Sequence, residues 1–123
     1  VLVVHGDDGL DEISVTSETS ISELKDMQIQ EYKISPTDFG LDFGTFEAIT
    51  AQSSKDSLKM VNEAFAGTKS TVQDMIAMNA GAALYIANKA TSIANGIELA
   101  FDLMNSGKAA EKLNAYVNAS NNL

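Results

Sequence analysis

The stretch that decides the fold is Val-Leu-Val-Val-His-Gly-Asp-Asp-Gly-Leu-Asp-Glu-Ile-Ser-Val-Thr, at Val1–Thr16. Its apolar run Val1–Val4 is typical of a strand in the middle of a larger sheet, and it ends abruptly at a histidine and a glycine. A loop with two glycines follows and carries the adjacent carboxylates of Asp11 and Glu12. The β-branched run Ile13–Thr16 then predicts a second strand. Such an arrangement can hold a hard cation such as Mg²⁺ at the edge of a sheet.

The composition indicates a globular chain with a modest core. Of its 123 residues, 45% are hydrophobic and 20% are charged, which suits one domain or part of a larger one. The net charge of −9 argues against nucleic acid as a partner, because its phosphates would be repelled. The absence of cysteine excludes disulfides and cysteine-based zinc sites and fits a cytoplasmic location.

The hydropathy and the start of the chain give further expectations. No apolar run approaches the roughly 20 residues of a membrane span, so no membrane association is predicted. The N-terminus has no basic region and does not resemble a signal peptide. The chain begins at Val1 and not at a methionine, which favours a fragment or a processed piece.

The first third is predicted to be β-rich. Gln28–Ile34 alternates apolar and polar residues with a period close to two, as a half-buried strand does. Ser20–Leu24 is either a short strand or a single helical turn. Pro36 ends the strand that precedes it, and Phe39 and Phe43 are expected to anchor the following loop.

The remainder is predicted to contain about four helices, because serines stand at cap positions and glycines at stop positions. Ser70 and Gln73 also have the spacing of a capping box. The second of these helices is rich in Ala and Gly, which predicts close packing against a neighbour. The caps are Ser54, Ser70 and Ser92, the stops are Gly67 and Gly107, and a last helix over Ala109–Val117 precedes a polar tail over Asn118–Asn122.

Four segments, in order along the chain, resemble the anthranilate phosphoribosyltransferase family. The first, His5-Gly6-Asp7-Asp8-Gly9-Leu10-Asp11-Glu12-Ile13-Ser14, is similar to the family's His-Gly-x-Asp-Gly-Leu-Asp-Glu-Ile-Ser. The others are Ser35-Pro36-Thr37-Asp38-Phe39-Gly40-Leu41, Met78-Asn79-Ala80-Gly81-Ala82-Ala83-Leu84-Tyr85 and Ser106-Gly107-Lys108-Ala109. Together the matches cover nearly the whole chain, and their shared order makes them specific.

The resemblance implies an α/β chain, part of a nucleoside phosphorylase/phosphoribosyltransferase-type catalytic domain with a β-rich N-terminal third followed by helices. Residues 1–123 would be the C-terminal portion of that α/β domain, without the family's N-terminal helical domain. The family transfers a phosphoribosyl group from phosphoribosyl diphosphate to anthranilate in tryptophan biosynthesis, releases diphosphate and uses Mg²⁺. Its members are usually homodimers, so the parent protein is expected to be one.

The sequence also departs from the family pattern. It has no match for the glycine-rich diphosphate loop Gly-Thr-Gly-Gly-Asp, for the downstream Lys and Ser/Thr contacts, or for the anthranilate-binding Arg. Ser17-Glu18 stands where the family often has Gly-Pro. We therefore expect the 123-residue chain to be inactive alone, and we assign it no catalytic or further cofactor-binding residue.

The resemblance implies that Asp11 and Glu12 are the Mg²⁺ ligands, although an Asp-Glu pair in isolation is more often a solvated turn. The chemistry suits them, because Mg²⁺ keeps several waters and needs only one or two protein carboxylates. Asp7 and Asp8, in the same loop, are expected to be solvated, and water-mediated metal contacts are the alternative.

Two further polar residues have open roles. His5 is either an acid/base or substrate contact, or a hydrogen-bonded residue that fixes the turn, and we favour the second role. Asn79 lies on an otherwise apolar helix, where a satisfied core amide is the better interpretation, and capping a loop or contacting the sheet are the alternatives.

Two alternatives to the transferase remain at this point. One is an enzyme like a pyrimidine nucleoside phosphorylase, which uses free phosphate and would not need the Asp-Glu pair. The other is a non-catalytic folded fragment, which the missing diphosphate loop supports.

Overall fold

The computed structural model describes residues 1–122 and begins with a three-stranded antiparallel sheet. Strand β1 (Leu2–Gly6) pairs with β2 (Thr19–Lys25), which pairs with β3 (Gln28–Ile34). A two-residue turn at Asp26 and Met27 joins β2 to β3, and both of its residues have positive φ, as a tight hairpin turn requires. The sheet order is β1-β2-β3, so β1 lies at an edge of the sheet within the described residues.

Helices make up most of the remaining chain. A short 3-10 helix (Pro36–Phe39) follows β3, so Pro36 ends that strand as predicted. The α-helices are α1 (Phe46–Ile49), α2 (Ser54–Phe65), α3 (Thr71–Ile86), α4 (Ile93–Asn105) and α5 (Lys108–Asn121). No helix among residues 1–122 is both long enough and apolar enough to cross a membrane.

Serine side chains begin three of these helices. The hydroxyl oxygens of Ser53, Ser70 and Ser92 each accept a hydrogen bond from the backbone N–H three residues later. The predicted caps Ser70 and Ser92 are therefore confirmed, whereas Ser54 is wrong by one residue. The capping box at Ser70 is only half formed, because the Gln73 amide donates instead to the Ala64 carbonyl and to Asn105 Oδ1.

The core lies between one face of the sheet and helices α3 and α4. It contains Ile13, Val15, Ile21, Ile34, Ala77, Met78, Ile97, Ala100 and Met104. Two glycines let α3 and α4 approach each other closely: a Cβ atom added to Gly96 would lie 2.1 Å from the carbonyl oxygen of Gly81. The predicted close packing of the Ala- and Gly-rich helix is thus confirmed.

Several boundaries differ from the predictions. Ile13–Thr16 forms no strand, although its residues 13–15 are buried. Ser20–Leu24 belongs to strand β2 and not to a helical turn. The last helix continues to Asn121 through the predicted polar tail, because nothing in that segment breaks the helix. Phe39 packs on the core as expected, whereas Phe43 is half exposed.

Candidate metal site

The acidic loop, defined here as residues 7–12, leaves the end of β1 as a tight backbone turn. The Gly6 N–H donates to the Leu10 carbonyl at 2.9 Å, and the Gly9 N–H donates to the Gly6 carbonyl at 2.9 Å. Gly9 has φ +94°, a conformation that residues with a side chain rarely adopt. This turn fixes the loop as far as Leu10 and places Asp11 and Glu12 just beyond it.

Asp8 is the internal anchor of this loop and not the solvated residue that we predicted. Its carboxylate accepts hydrogen bonds from the hydroxyls of Ser14 and Thr16 and from the Leu10 N–H. Burial raises the pKa of the Asp8 carboxyl, but these hydrogen bonds outweigh burial and lower the pKa to about 2. Asp8 is therefore ionised near neutral pH and fastens the loop to the segment that follows it.

The far end of the loop is attached to helix α3 through Asn79. Asn79 Oδ1 accepts from the Ile13 N–H at 2.9 Å, and Asn79 Nδ2 donates to the Ile13 carbonyl at 2.9 Å. The same amide nitrogen also lies 3.0 Å from the Met75 carbonyl. The interpretation of Asn79 as a satisfied amide is confirmed, and two of its three hydrogen bonds go to Ile13, the residue that follows the acidic loop.

Asp11 and Glu12 lie between these two attachment points, and both are exposed. Among the hydrogen bonds and ion pairs of residues 1–122, neither carboxylate has a partner, so their oxygens are available to a ligand. No group of three or more His, Cys, Asp or Glu side chains within the described part could hold a metal. Two hard carboxylates nevertheless fit Mg²⁺, which fills its remaining positions with waters and substrate phosphates.

The other charged groups at this end of the sheet are engaged elsewhere. Asp7 forms a 2.6 Å ion pair with Lys33, whose ammonium also lies 3.5 Å from Glu18. The hydrogen bond from Lys33 holds the pKa of the Asp7 carboxyl below its usual value.

His5 is exposed, and its ring forms no hydrogen bond with residues 1–122, so the structure does not support a turn-fixing role for it.

Sequence reasoning missed a second polar cluster, centred on Glu23 in β2. Glu23 is only 6% exposed and accepts hydrogen bonds from the hydroxyls of Tyr85 (2.7 Å) and Tyr32 (2.9 Å). The Tyr85 hydrogen bond, more than any other contact, lowers the pKa of Glu23, and burial raises the pKa of Tyr32. The period of two along β2 could have revealed this cluster, since Glu23 shares the inward face with Thr19 and Ile21.

Comparison with known proteins agrees with this architecture. Residues 1–110 match the family described as "Glycosyl transferase family, a/b domain", and the chain belongs to that family. The chain is 46% identical over 117 residues to an anthranilate phosphoribosyltransferase of Halorhodospira halophila, covering 95% of this chain and 34% of that protein. It is 45% identical to the enzyme of the same name from Alkalilimnicola ehrlichii, covering 95% of this chain and 35% of that protein.

Solved structures give the same picture. The crystal structure of anthranilate phosphoribosyltransferase from Thermus thermophilus superimposes with a TM-score of 0.84 at 31% identity, covering 94% of this chain and 34% of that one. The Saccharomyces cerevisiae enzyme in complex with PRPP and Mg shares the fold with a TM-score of 0.86 at 21% identity, covering 99% of this chain and 35% of that one. The chain thus spans about a third of the length of the relatives that it matches.

Proposed function

We propose that this chain is the C-terminal portion of the α/β domain of an anthranilate phosphoribosyltransferase, and that Asp11 and Glu12 are its Mg²⁺ ligands. The observation that carries the proposal is an exposed carboxylate pair without protein partners, on a loop attached at both ends, in a chain of this family. The names of the relatives support the substrates, phosphoribosyl diphosphate and anthranilate. A cytoplasmic, homodimeric parent is part of the same proposal.

The chemistry explains why such a pair is useful. When diphosphate leaves the ribose carbon, negative charge develops on phosphate oxygens, and bound Mg²⁺ neutralises it and orients the leaving group. The net charge of −9 on this chain repels an anionic substrate, so the substrate has to be met by a metal ion or by local backbone donors. Asp11 and Glu12 supply the oxygens, while Asp8 and the backbone turn at Gly9 keep the loop in one conformation.

The activity belongs to the whole protein, and this chain's share of it is the metal-binding loop. The sequence lacks the family's glycine-rich diphosphate loop and contains no arginine. We therefore expect residues 1–123 alone to transfer no phosphoribosyl group, as measured by the loss of anthranilate fluorescence with phosphoribosyl diphosphate and Mg²⁺ present. Robust turnover by the chain alone would contradict its assignment as a portion of the enzyme.

The decisive test uses the full-length protein that contains this chain. Substituting Asp11→Asn together with Glu12→Gln should lower phosphoribosyl transfer by roughly 100-fold or more, because charge neutralisation by the metal contributes several kcal/mol. Raising the Mg²⁺ concentration should restore part of the activity. The melting temperature should not change, because both side chains are exposed and form no hydrogen bond with residues 1–122.

The double variant Glu98→Gln with Glu111→Gln is the matched control. It also removes two negative charges, but from exposed positions on α4 and α5. It should retain wild-type activity. Full activity in the Asp11→Asn, Glu12→Gln protein would refute the metal assignment. Metal-independent cleavage of pyrimidine nucleosides by free phosphate would instead identify a nucleoside phosphorylase.

A further inference from the structure

We propose that Asn79 is a positioning residue for the metal site, which fixes the Asp11–Glu12 pair by clamping the backbone of Ile13. This inference rests on the proposed function, because it takes the two carboxylates as Mg²⁺ ligands. Asn79 forms hydrogen bonds with Ile13 and Met75 and not with either carboxylate, so it acts through the chain that carries them.

The first step is the geometry of the clamp. One amide side chain satisfies both backbone groups of Ile13, as a neighbouring strand would, with two hydrogen bonds of 2.9 Å. Ile13 is 1% exposed and belongs to no strand, so water does not replace these bonds easily. Losing the amide would leave a buried N–H and a buried C=O without partners, which native structures avoid.

The second step is the position of the clamp along the chain. The Leu10 carbonyl accepts a hydrogen bond from the Gly6 N–H, and the Ile13 N–H donates one to Asn79. Only two residues lie between Leu10 and Ile13. Those two residues are Asp11 and Glu12. Their backbone therefore has few conformations available. The hydrogen bonds to Asn79 have already reduced its conformational entropy, so metal binding costs less entropy.

The third step is that the helix itself gives no reason for an asparagine here. Asparagine is a weaker helix former than the alanines around it, and its side chain forms one hydrogen bond within α3, to the Met75 carbonyl. The two remaining hydrogen bonds reach a residue 66 positions earlier in the sequence. Asn79 thus connects a core helix to the backbone immediately after Glu12.

The test compares two apolar isosteres on the same helix, Asn79→Leu and Gln73→Met, in the 123-residue chain. Gln73 is a buried amide, where Asn79 is partly buried, and its side chain donates two hydrogen bonds, to the Ala64 carbonyl and Asn105 and not to the loop. Both variants should lose stability. Mn²⁺ alone is the probe, and its binding is measured by paramagnetic broadening of the Asp11 and Glu12 amide signals.

We expect the apparent Mn²⁺ affinity at the loop to fall by about tenfold in Asn79→Leu, the lower end of the losses seen when groups behind metal ligands are removed. It should be unchanged in Gln73→Met. Equal affinity in wild type and Asn79→Leu would overturn the positioning role alone. Wild-type signals that are not broadened, or broadening that persists in Asp11→Asn with Glu12→Gln, would overturn the metal assignment and this inference with it.

A measurement on the wild-type chain covers the case in which Asn79→Leu does not fold. Because coupling between two events is reciprocal, a clamp that favours metal binding must itself be stabilised by the metal. Saturating Mg²⁺ should therefore slow hydrogen exchange of the Ile13 N–H, which lies in the clamp. It should leave exchange in the middle of α5 unchanged, because α5 has no buried residue and can open without disturbing the loop. Unchanged Ile13 exchange with Mg²⁺ bound at the loop would overturn the inference.

Discussion

At the level of single residues, Asp8 organises the loop that carries the candidate ligands. Its carboxylate faces the hydroxyls of Ser14 and Thr16 and the Leu10 N–H, and it is half-buried beneath them. An ionised carboxylate that accepts several hydrogen bonds costs little free energy to bury. A protonated Asp8 would lose some of these hydrogen bonds, because it has less capacity to accept them. The loop's attachment to the following segment therefore depends on the charge of Asp8.

This dependence predicts a change in stability at acid pH. The pKa of Asp8 falls from its ordinary value of 3.8 to about 2 on folding. A depressed pKa contributes stability that is present above about pH 4 and is lost as the pH falls toward 2. After allowance for partial exposure, Asp8→Asn should lower the free energy of unfolding by about 1–2 kcal/mol at pH 6, and this difference should shrink toward pH 2.

Denaturant unfolding between pH 2 and pH 6 measures this difference. Asp102→Asn is the matched control, because Asp102 is exposed on α4 and forms no side-chain hydrogen bond or ion pair with residues 1–122. Its stability curve should run parallel to that of the wild type. A pH-independent gap between wild type and Asp8→Asn would show that the lost contact is steric and not electrostatic.

At the level of elements, local patterns predicted some boundaries to the residue, where local interactions set them. The alternation in Gln28–Ile34 gave β3 with its observed bounds, and Ser70 and Ser92 begin helices where the sequence places them. Ile13–Thr16 was predicted as a strand because buried β-branched residues resemble one. Its backbone groups instead form hydrogen bonds with the side chains of Asn79, Thr19 and Ser14 and with the Gly44 N–H. The long-range partners among these are revealed by no local pattern.

The contact between α3 and α4 gives the sharpest prediction for an element. Gly96→Ala would place a methyl group 2.1 Å from the Gly81 carbonyl oxygen, and two packed backbones have little room to separate. We expect a loss of about 3 kcal/mol or more in the free energy of unfolding, at the upper end of overpacking effects. In an open helix the same change would stabilise the protein by roughly 1 kcal/mol. Chemical unfolding therefore tests the close approach of the helices: the free energy of unfolding falls if the helices touch at Gly96 and rises if they do not.

At the level of the whole molecule, stability is distributed unevenly over the helices. Helix α3 buries Gln73, Ala77, Met78, Gly81 and Ala82 and is hydrogen-bonded to Ile13 through Asn79. Helix α5 contains no buried residue, and Tyr116 is 69% exposed on it. The family match also ends at residue 110, near the start of α5. The candidate site is thus attached to a helix that is well buried in the core, and α5 adds little to the core.

Hydrogen exchange of the 123-residue chain should reveal this gradient. Amides in the middle of α5 should exchange at least roughly tenfold faster than those of α3, because opening α5 exposes little apolar surface while opening α3 disrupts the whole core. Deleting residues 112–123 should accordingly lower the free energy of unfolding by less than about 1 kcal/mol, since it keeps Ala109, which packs on the core. Protection of α5 equal to that of α3, or loss of cooperative unfolding in the shortened chain, would show that α5 is an integral part of the fold. In that case the attachment of Ile13 to α3 would depend on the full helical layer and not on α3 and α4 alone.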